Sequence, residues 1–196
     1  PLARAKRAGV MKTKWKLMEK LPKRKPNRLA EYDYSQNGAY FVTICVKDRH
    51  EILSVIEPSE HHFVGANFVR PQDDVRPQEN RPQLTAAGKI VESEIKKLSV
   101  TYDGVSVDCF IIMPNHVHMI IFIHNEIGRT QFAPTVSRII KQWKGSVTKQ
   151  IGYSIWQKSF HDHIIRDEED FYLITEYIQN NPANWEQDCF HPKKEG

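Results

Sequence analysis

The sequence predicts an α+β fold of the ferredoxin-like (RRM-like) type, in which helices pack on one face of an antiparallel sheet. The predicted elements follow one another as strand, helix, strand, strand, helix, strand and helix. Strands separated by a tight turn pair as a hairpin, and helices interspersed with them cover one side of the sheet. The 196 residues, 40% of them hydrophobic, suffice for one such domain with its own core.

The first strand is the apolar, β-branched stretch 40–46, which follows the turn-forming pair Asn37-Gly38. After it the pattern breaks, from about residue 54 to residue 83. An Arg-Pro-Gln triplet occurs in this segment three times, beginning at Arg70, Arg76 and Arg81. The composition predicts a low-complexity insert that forms an exposed loop.

The middle of the chain predicts a helix, a hairpin and a second helix. Residues 84–98 form an amphipathic helix, because apolar residues recur there at helical spacing. Strands over 105–113 and 117–123 are separated by Pro114-Asn115, which favours a tight turn. The second helix covers 134–151, and its apolar stripe consists of Val136, Ile140, Trp143, Val147 and Ile151.

The last strand is short, near residues 163–165, and a third helix follows it. Asp167 is placed to cap that helix, and three acidic residues fill its first turn, which suits the helix dipole. Pro182 marks the end of the helix, because proline cannot continue it.

Basic residues are concentrated at the N-terminus. Residues 1–30 hold 11 of the 28 lysines and arginines, against one acid, Glu19. We therefore divide the chain into a basic arm over 1–30 and a single domain over 31–190. Such an arm suits attraction to phosphates, and that binding would be sensitive to salt. A solvated, disordered tail is the alternative, and composition alone favours it.

The cysteines and the hydropathy pattern exclude some classes of protein. Cys45, Cys109 and Cys189 are widely spaced, and no two form a C-x-x-C pair. This argues against a disulfide scaffold and for the reducing cytoplasm. No apolar run approaches the roughly 18 residues of a membrane span, so we expect no membrane partner. The basic N-terminus also lacks the apolar segment of a secretory signal.

The sharpest chemical feature is His116-Val117-His118, which follows a turn at the start of a predicted strand. Side chains alternate along a strand, so both imidazoles point to the same face and could bind one divalent metal. Two ordinary half-buried histidines are the alternative. A metal needs further ligands, and the residues that could supply them are Asn181, His163 and, less favourably, Asp162.

Tyr177 lies four residues before Asn181 in the third helix, so the two side chains share a helix face. One face would then present a phenol beside a metal ligand, which suits a tyrosine nucleophile attacking a phosphate. An ordinary core or surface tyrosine is the alternative. The rival tyrosines are Tyr172, which faces elsewhere on the same helix, and the remote Tyr153.

The stretch 113–120 (MPNHVHMI) resembles the HUH signature, histidine-hydrophobic-histidine, of single-tyrosine transposases. Three further segments agree with this family in order: 32–45 (YDYSQNGAYFVTIC), 156–170 (WQKSFHDHIIRDEED) and 176–182 (EYIQNNP). Together they span about residues 28–182. The chain is most similar to the REP-associated tyrosine transposases, which are cousins of small insertion-sequence transposases.

The resemblance implies roles for individual residues. His116 and His118 match the metal-binding pair, Asn181 matches the helix-borne third ligand, and Tyr177 matches the nucleophile. The implied metal is Mg²⁺ or Mn²⁺. His163 is a possible further contact to the metal or the phosphate.

The resemblance also implies the reaction and its substrate. Single-stranded DNA would be cut and rejoined near hairpins, at REP-like or element-end repeats, through a 5′-phosphotyrosine intermediate. Gly38-Ala39-Tyr40 stands where some members carry a Gly-Thr-Trp segment that reads DNA, so the target sequence stays open. The protein would act in the bacterial cytoplasm, at the nucleoid, as a monomer or homodimer. The side chains expected to contact DNA are Lys23, Arg24, Lys25, Arg28, Arg138, Lys141 and Lys144.

Two other functions fit the same residues. A nucleic-acid-binding module without catalysis would share the fold and the basic arm, but would not need Tyr177 together with both histidines. A metal-dependent nuclease would use the histidines to activate water. It would release free 5′-phosphates and form no covalent intermediate.

Overall fold

The structure is a computed structural model that describes residues 36–56, 81–124 and 135–192, together with residues 32 and 34. The predicted basic arm and the middle of the predicted insert, residues 57–80, lie outside the described residues. All elements described below belong to one compact unit, Asp33–Gly196.

Six strands occur in the part of the chain that the structure describes. They are β1 (Gly38–Cys45), β2 (Ser54–Val55), β3 (Gln83–Leu84), β4 (Val105–Ile112), β5 (His116–Ile123) and β6 (His161–Ile165). The main sheet has the order β4-β5-β1-β6, and every neighbouring pair in it is antiparallel. This order places the first and third long strands side by side in the centre. The predicted ferredoxin-like sheet is therefore confirmed.

The ends of the predicted insert are joined by a small second sheet. β2 and β3 pair antiparallel, with Ser54 opposite Leu84 and Val55 opposite Gln83. The hydroxyl of Ser54 donates to the carbonyl oxygen of Ile112 on the main sheet, at 2.9 Å. The two described ends of the predicted insert are therefore paired with each other and bonded to the main sheet.

Four α-helices are described: α1 (Ala86–Lys96), α2 (Leu98–Thr101), α3 (Val136–Ile151) and α4 (Glu168–Asn180). Side chains cap the three long helices, because Thr85, Thr135 and Asp167 each accept from a backbone N–H in the first turn. The predicted cap at Asp167 is confirmed. A 3₁₀ helix, Pro182–Gln187, follows α4 directly.

One face of the main sheet forms the core with α1 and α3. Tyr40, Val42 and Ile44 of β1 are fully buried, as are their partners on β5. α1 packs on α3 and on β4. α3 buries most of its predicted apolar stripe: Val136, Ile140, Trp143 and Val147. A Cβ on Gly88 would lie 2.0 Å from the carbonyl oxygen of Leu53, so α1 approaches the chain closely there.

The last helix lies against the opposite face of the sheet. The ring of Tyr177 on α4 meets Phe41 of β1 edge-on at 6.1 Å between centroids, and Phe171 meets Phe122 of β5 at 5.9 Å. Phe41 and Phe122 alternate with the core residues of their strands, so they project from the other side. The prediction of helices on one face thus holds for α1 and α3, and α4 covers part of the second face. No helix in the described ranges has the length and apolarity to span a bilayer.

Candidate metal and tyrosine site

Both histidines of the His-x-His pair project from β5 towards α4. Their exposed fractions are 0% for His116 and 1% for His118, and their ring centroids are 4.5 Å apart. Val117 between them is fully buried in the core on the other face. The alternation expected of a strand has therefore brought two imidazoles together in a water-poor environment.

The hydrogen bonds around His116 fix its tautomer. Nδ1 of His116 lies 2.9 Å from Oδ1 of Asn115. The amide nitrogen of Asn115 donates to the carbonyl oxygens of Phe190, at 2.8 Å, and Arg49, at 3.3 Å. Oδ1 of Asn115 must then be the acceptor, so Nδ1 of His116 carries the proton. Its Nε2 keeps a lone pair, and that buried atom has no hydrogen-bond partner in the described chain.

His118 is held from the neighbouring strand. Thr43 of β1 lies directly opposite it, and the Thr43 hydroxyl is 2.8 Å from Nδ1 of His118. This contact leaves Nε2 of His118 facing α4. Partners of this kind on the second ring nitrogen orient a histidine for metal binding.

Both imidazoles are neutral near pH 7. Burial lowers the pKa of His116 to about 4, against the opposing effect of the Asp188 carboxylate. Burial and the neighbouring His116 lower the pKa of His118 well below its usual value. Neutral imidazoles are the form that binds metals.

The third member of this group is the carboxylate of Asp188, which was not predicted from the sequence. Asp188 follows the 3₁₀ helix, and its side chain is only 3% exposed. Its Oδ2 lies 3.9 Å from Nε2 of His116. The ligand atoms of His116, His118 and Asp188 all lie within 4.8 Å of one another. The sequence carries no spacing signal for Asp188, which stands alone between Gln187 and Cys189.

Asn181, the predicted third ligand, is also at the site. It is 3% exposed, and its amide nitrogen donates to Oδ2 of Asp188 at 2.8 Å. Its Oδ1 is buried without a hydrogen-bond partner among the described residues, as is Nε2 of His116. Unpaired buried acceptors are costly, and a cation would satisfy both atoms. The donor set, two imidazole nitrogens with carboxylate and amide oxygens, therefore fits a divalent metal.

Tyr177 brings its hydroxyl to the same place. The phenol oxygen lies 3.4 Å from Nε2 of His118, at the long limit of a hydrogen bond. The residue is 44% exposed, so the ring is open to solvent while its hydroxyl meets the buried cluster. Desolvation of the hydroxyl and the nearby Asp188 raise the pKa of Tyr177 to about 12, so the phenol is protonated near neutral pH.

The rival tyrosines do not share this position. Tyr172 is 68% exposed, and its ring contact in the described chain is with Phe171 on the same helix. Tyr153 is 63% exposed and follows the end of α3. Of these three tyrosines, Tyr177 alone reaches the paired histidines.

Other predicted ligands lie outside this group of three side chains. His163 projects from β6 opposite Phe41, and its Nε2 pairs with Oδ2 of Asp170 at 2.8 Å. Neither His163 nor Asp162 is among the clustered ligand atoms. The contact to metal or phosphate suggested for His163 stays a prediction, and the structure gives this imidazole a carboxylate partner instead.

The predicted DNA-contacting side chains fall into three groups. Arg138 and Lys141 are exposed on α3. Lys144 donates to the carbonyl oxygens of Gln157 and Ser159, at 3.0 and 2.9 Å, so its ammonium group binds the protein's own backbone. The residues of the basic arm lie outside the described residues: Lys23, Arg24, Lys25 and Arg28.

No protein-family model matches the chain. An uncharacterized protein of Haemophilus influenzae is 31% identical over 185 residues, which cover 84% of this chain and 91% of the relative. A second Haemophilus influenzae protein, named “Putative REP-associated tyrosine transposase”, is 26% identical over 98 residues, or 41% of this chain and 56% of that protein.

The fold is also found in a solved structure. It is the structure of a REP-associated tyrosine transposase bound to a REP hairpin, and it matches with a TM-score of 0.54 and 19% sequence identity. The match covers 80% of this chain and 74% of that one. The fold implied by the resemblance to REP-associated tyrosine transposases is therefore confirmed.

Proposed function

Since this chain belongs to the family of the 31% identical Haemophilus influenzae relative and has the fold of the REP-associated tyrosine transposase, we propose that it is a DNA strand transferase. It would cut and rejoin single-stranded DNA near hairpins, with Tyr177 as the nucleophile. The product of cutting would be a 5′-phosphotyrosine link and a free 3′-hydroxyl.

One observation carries this proposal: the hydroxyl of Tyr177 meets a pair of buried, neutral imidazoles. Tyr177 lies on α4, and His116 and His118 lie on the central strand β5. The packing of α4 against the sheet holds the three side chains in a fixed relation. A phenol at such a place has the position that an attacking nucleophile needs.

The metal site would be built on His116 and His118, with oxygen atoms of Asn181 and Asp188 beside them. A divalent cation bound there, Mg²⁺ or Mn²⁺, would polarise the scissile phosphate and offset its charge. Each of these side chains is at most 3% exposed, so the protein excludes water from the metal-facing side of the site.

The chemical step balances without an energy source. The phenol oxygen of Tyr177 forms a bond to phosphorus, and the bond between phosphorus and the 3′-oxygen breaks. The phenolic proton is lost from Tyr177, and the leaving 3′-oxygen gains one. One phosphodiester replaces another, so a second DNA 3′-hydroxyl can displace the tyrosine in the reverse sense without ATP.

Two features favour this function over the alternatives. A catalytically inactive DNA-binding module does not require a phenol 3.4 Å from a buried imidazole. A metal-dependent nuclease that activates water would use the histidines but has no use for Tyr177. The REP hairpin of the solved relative suggests hairpin DNA as the substrate here as well, bound by this protein in the bacterial cytoplasm.

A denaturing gel separates the three functions. The protein is incubated with Mn²⁺ and a hairpin oligonucleotide that has a single-stranded flank and a label at its 3′ end. We expect labelled DNA to migrate with the protein, because the 5′ end of the downstream fragment stays attached. Tyr177→Phe should abolish this band and keep hairpin binding, while Tyr172→Phe, on the same helix, should behave as wild type.

The other outcomes of this gel each contradict the proposal. A free, labelled fragment without an adduct would indicate a nuclease that uses water. Intact DNA bound by the protein would indicate a binding module. An adduct that persists in Tyr177→Phe would assign the nucleophile elsewhere.

A further inference from the structure

We propose that Asp188 is a direct ligand of the metal and that Asn181 positions it, so that the segment after the last helix is part of the metal site. This inference rests on the metal site of the proposed function and specifies its ligands. It adds a ligand to the arrangement that the family resemblance implied, in which Asn181 at the end of α4 supplies the third ligand.

The carboxylate of Asp188 is buried next to the two imidazoles. Its side chain is 3% exposed, and Oδ2 lies 3.9 Å from the bare Nε2 of His116. A buried carboxylate is costly unless a cation or sufficient donors compensate its charge. Its hydrogen-bond donors in the described chain are the Asn181 amide nitrogen and the Phe190 backbone N–H, and neither carries a compensating charge. A divalent cation between these three groups would supply it.

The amide of Asn181 is engaged in holding that carboxylate. Its nitrogen donates to Oδ2 of Asp188 at 2.8 Å, which orients the carboxylate from the end of α4. Carboxylate and carbonyl oxygens both suit hard cations such as Mg²⁺ and Mn²⁺, and the carboxylate adds a negative charge that the amide lacks. The amide nitrogen of Asn181 therefore holds Asp188 in place as a charged ligand, while Oδ1 of Asn181, unpaired among the described residues, stays available to the same cation.

The segment that carries Asp188 is fixed at several points. The backbone N–H of Phe190 donates to Oδ1 of Asp188 at 2.6 Å, and the Phe190 ring lies 4.6 Å from that of His116. The guanidinium of Arg49 donates to the carbonyl oxygen of Cys189 at 2.8 Å. Asn115, which fixes the tautomer of His116, also binds the carbonyl oxygen of Phe190. Asn115 therefore both fixes the tautomer of His116 and helps to hold the segment that carries the Asp188 carboxylate.

The backbone of Arg49 supports this interpretation. Arg49 has φ of 57° and its neighbour Asp48 has φ of 55°, in the left-handed region that residues with side chains rarely adopt. Such strain persists where surrounding contacts maintain it, and it concentrates at functional sites. Here it turns the carbonyl of Arg49 to Asn115 and its side chain to the Asp188 segment.

Mn²⁺ titration of the whole protein without DNA tests the assignment, with the electron paramagnetic resonance signal of free Mn²⁺ as the readout. We expect Asp188→Asn to weaken Mn²⁺ binding more than about 100-fold, because it removes a charged ligand. Asn181→Ala should weaken binding only about tenfold, as expected for a supporting contact. Glu186→Gln, on the preceding 3₁₀ helix, is the matched control and should bind as wild type does.

A second measurement identifies the ligand by its chemistry. In a Cys189→Ser background, Asp188→Cys should shift the preference of the site from Mn²⁺ towards the thiophilic Cd²⁺, since a thiolate ligand selects soft metals. Gln187→Cys in the same background should not. A merely structural role for Asp188 would leave the metal preference unchanged.

The results that would overturn this ligand assignment differ from those that would overturn the proposed function. Wild-type Mn²⁺ affinity in Asp188→Asn, or a larger loss in Asn181→Ala than in Asp188→Asn, would overturn the assignment. So would a shift towards Cd²⁺ in Asn181→Cys with none in Asp188→Cys. Each of these results leaves DNA cleavage by Tyr177 standing, because the titration contains no DNA.

Discussion

The phenol oxygen of Tyr177 lies 3.4 Å from Nε2 of His118, although 59 residues separate them in the chain. This contact joins the last helix to the central strand of the sheet. It places a protonated phenol beside neutral imidazoles, so we expect the proposed reaction to depend on the protonation states of these groups.

The pH dependence of adduct formation follows from the pKa of Tyr177. Burial of its hydroxyl, with Asp188 nearby, raises that pKa to about 12. Below the pKa, the phenolate fraction grows about tenfold per pH unit. We therefore expect the single-turnover rate of adduct formation to rise about tenfold between pH 7 and pH 8. His116 and His118 stay neutral in this range, so a flat or falling rate would contradict attack by the phenolate.

The stability of the metal-free protein should also depend on pH through His116. Burial lowers the pKa of His116 from 6.5 to about 4, so the unfolded chain binds a proton in this window that the folded chain does not. Stability is therefore lost as the pH falls from 6.5 towards 4. We expect a loss of about 2 kcal/mol from this residue between pH 7 and pH 5.

Urea unfolding of the wild type and His116→Gln at these two pH values measures the effect. The variant lacks the titrating group, so its stability should fall by about 2 kcal/mol less than that of the wild type between pH 7 and pH 5. An equal fall in both proteins would show that His116 is not held neutral by burial.

The order of the elements could be predicted from the sequence because local patterns specify it. Period-two alternation on β5 placed His116 and His118 on one face, and helical spacing placed Tyr177 and Asn181 together. What could not be predicted is which partners the sheet supplies. Thr43 meets His118 only because of the register between β1 and β5, and no local pattern encodes that register.

Asp188 could not be predicted for a different reason. It follows a 3₁₀ helix in a segment without hydrophobic periodicity, and its position depends on contacts with Asn181 and with residues far away in the chain. Lys144 shows the same limit, because on sequence alone it resembles any surface lysine of an amphipathic helix. Its ammonium instead binds two carbonyl oxygens of the loop after α3.

Thr43 should contribute to metal affinity although it is not a ligand. Its hydroxyl lies 2.8 Å from Nδ1 of His118 and so orients the ring. Thr43→Val keeps the shape and removes the hydroxyl, and we expect about tenfold weaker Mn²⁺ binding in a titration without DNA. Thr148→Val, a similar change on α3, serves as the control. Equal affinities for the two variants would exclude an orienting role for Thr43.

Glu94 should stabilise the helical layer without affecting the site. Its carboxylate is 6% exposed and accepts hydrogen bonds from three side chains. The donors are Lys97 at the end of α1 and Ser146 and Gln150 on α3. Burial raises the pKa of Glu94, but these three hydrogen bonds outweigh it, and the pKa is lowered overall. We expect Glu94→Ala to lose about 2 kcal/mol of unfolding free energy, because it removes a buried carboxylate whose hydrogen bonds link α1 to α3.

The matched control for Glu94→Ala is Glu92→Ala on the same helix. Glu92 pairs with Lys96 at the surface, and such pairs contribute less than about 1 kcal/mol. Chemical denaturation gives both values, and Mn²⁺ affinity should stay unchanged in both variants. A similar loss of stability in both would mean that Glu94 does not link α1 to α3.

The most direct measurement locates the covalent bond itself. The adduct formed with Mn²⁺ and hairpin DNA is digested with trypsin and nuclease, and the modified peptide is sequenced by mass spectrometry. Trypsin has no site between Arg166 and Lys193, so Tyr172 and Tyr177 fall in one peptide, and fragmentation distinguishes them. We expect the nucleotide phosphate on Tyr177. Modification of any other residue, or no modified peptide from an active preparation, would contradict the nucleophilic role of Tyr177.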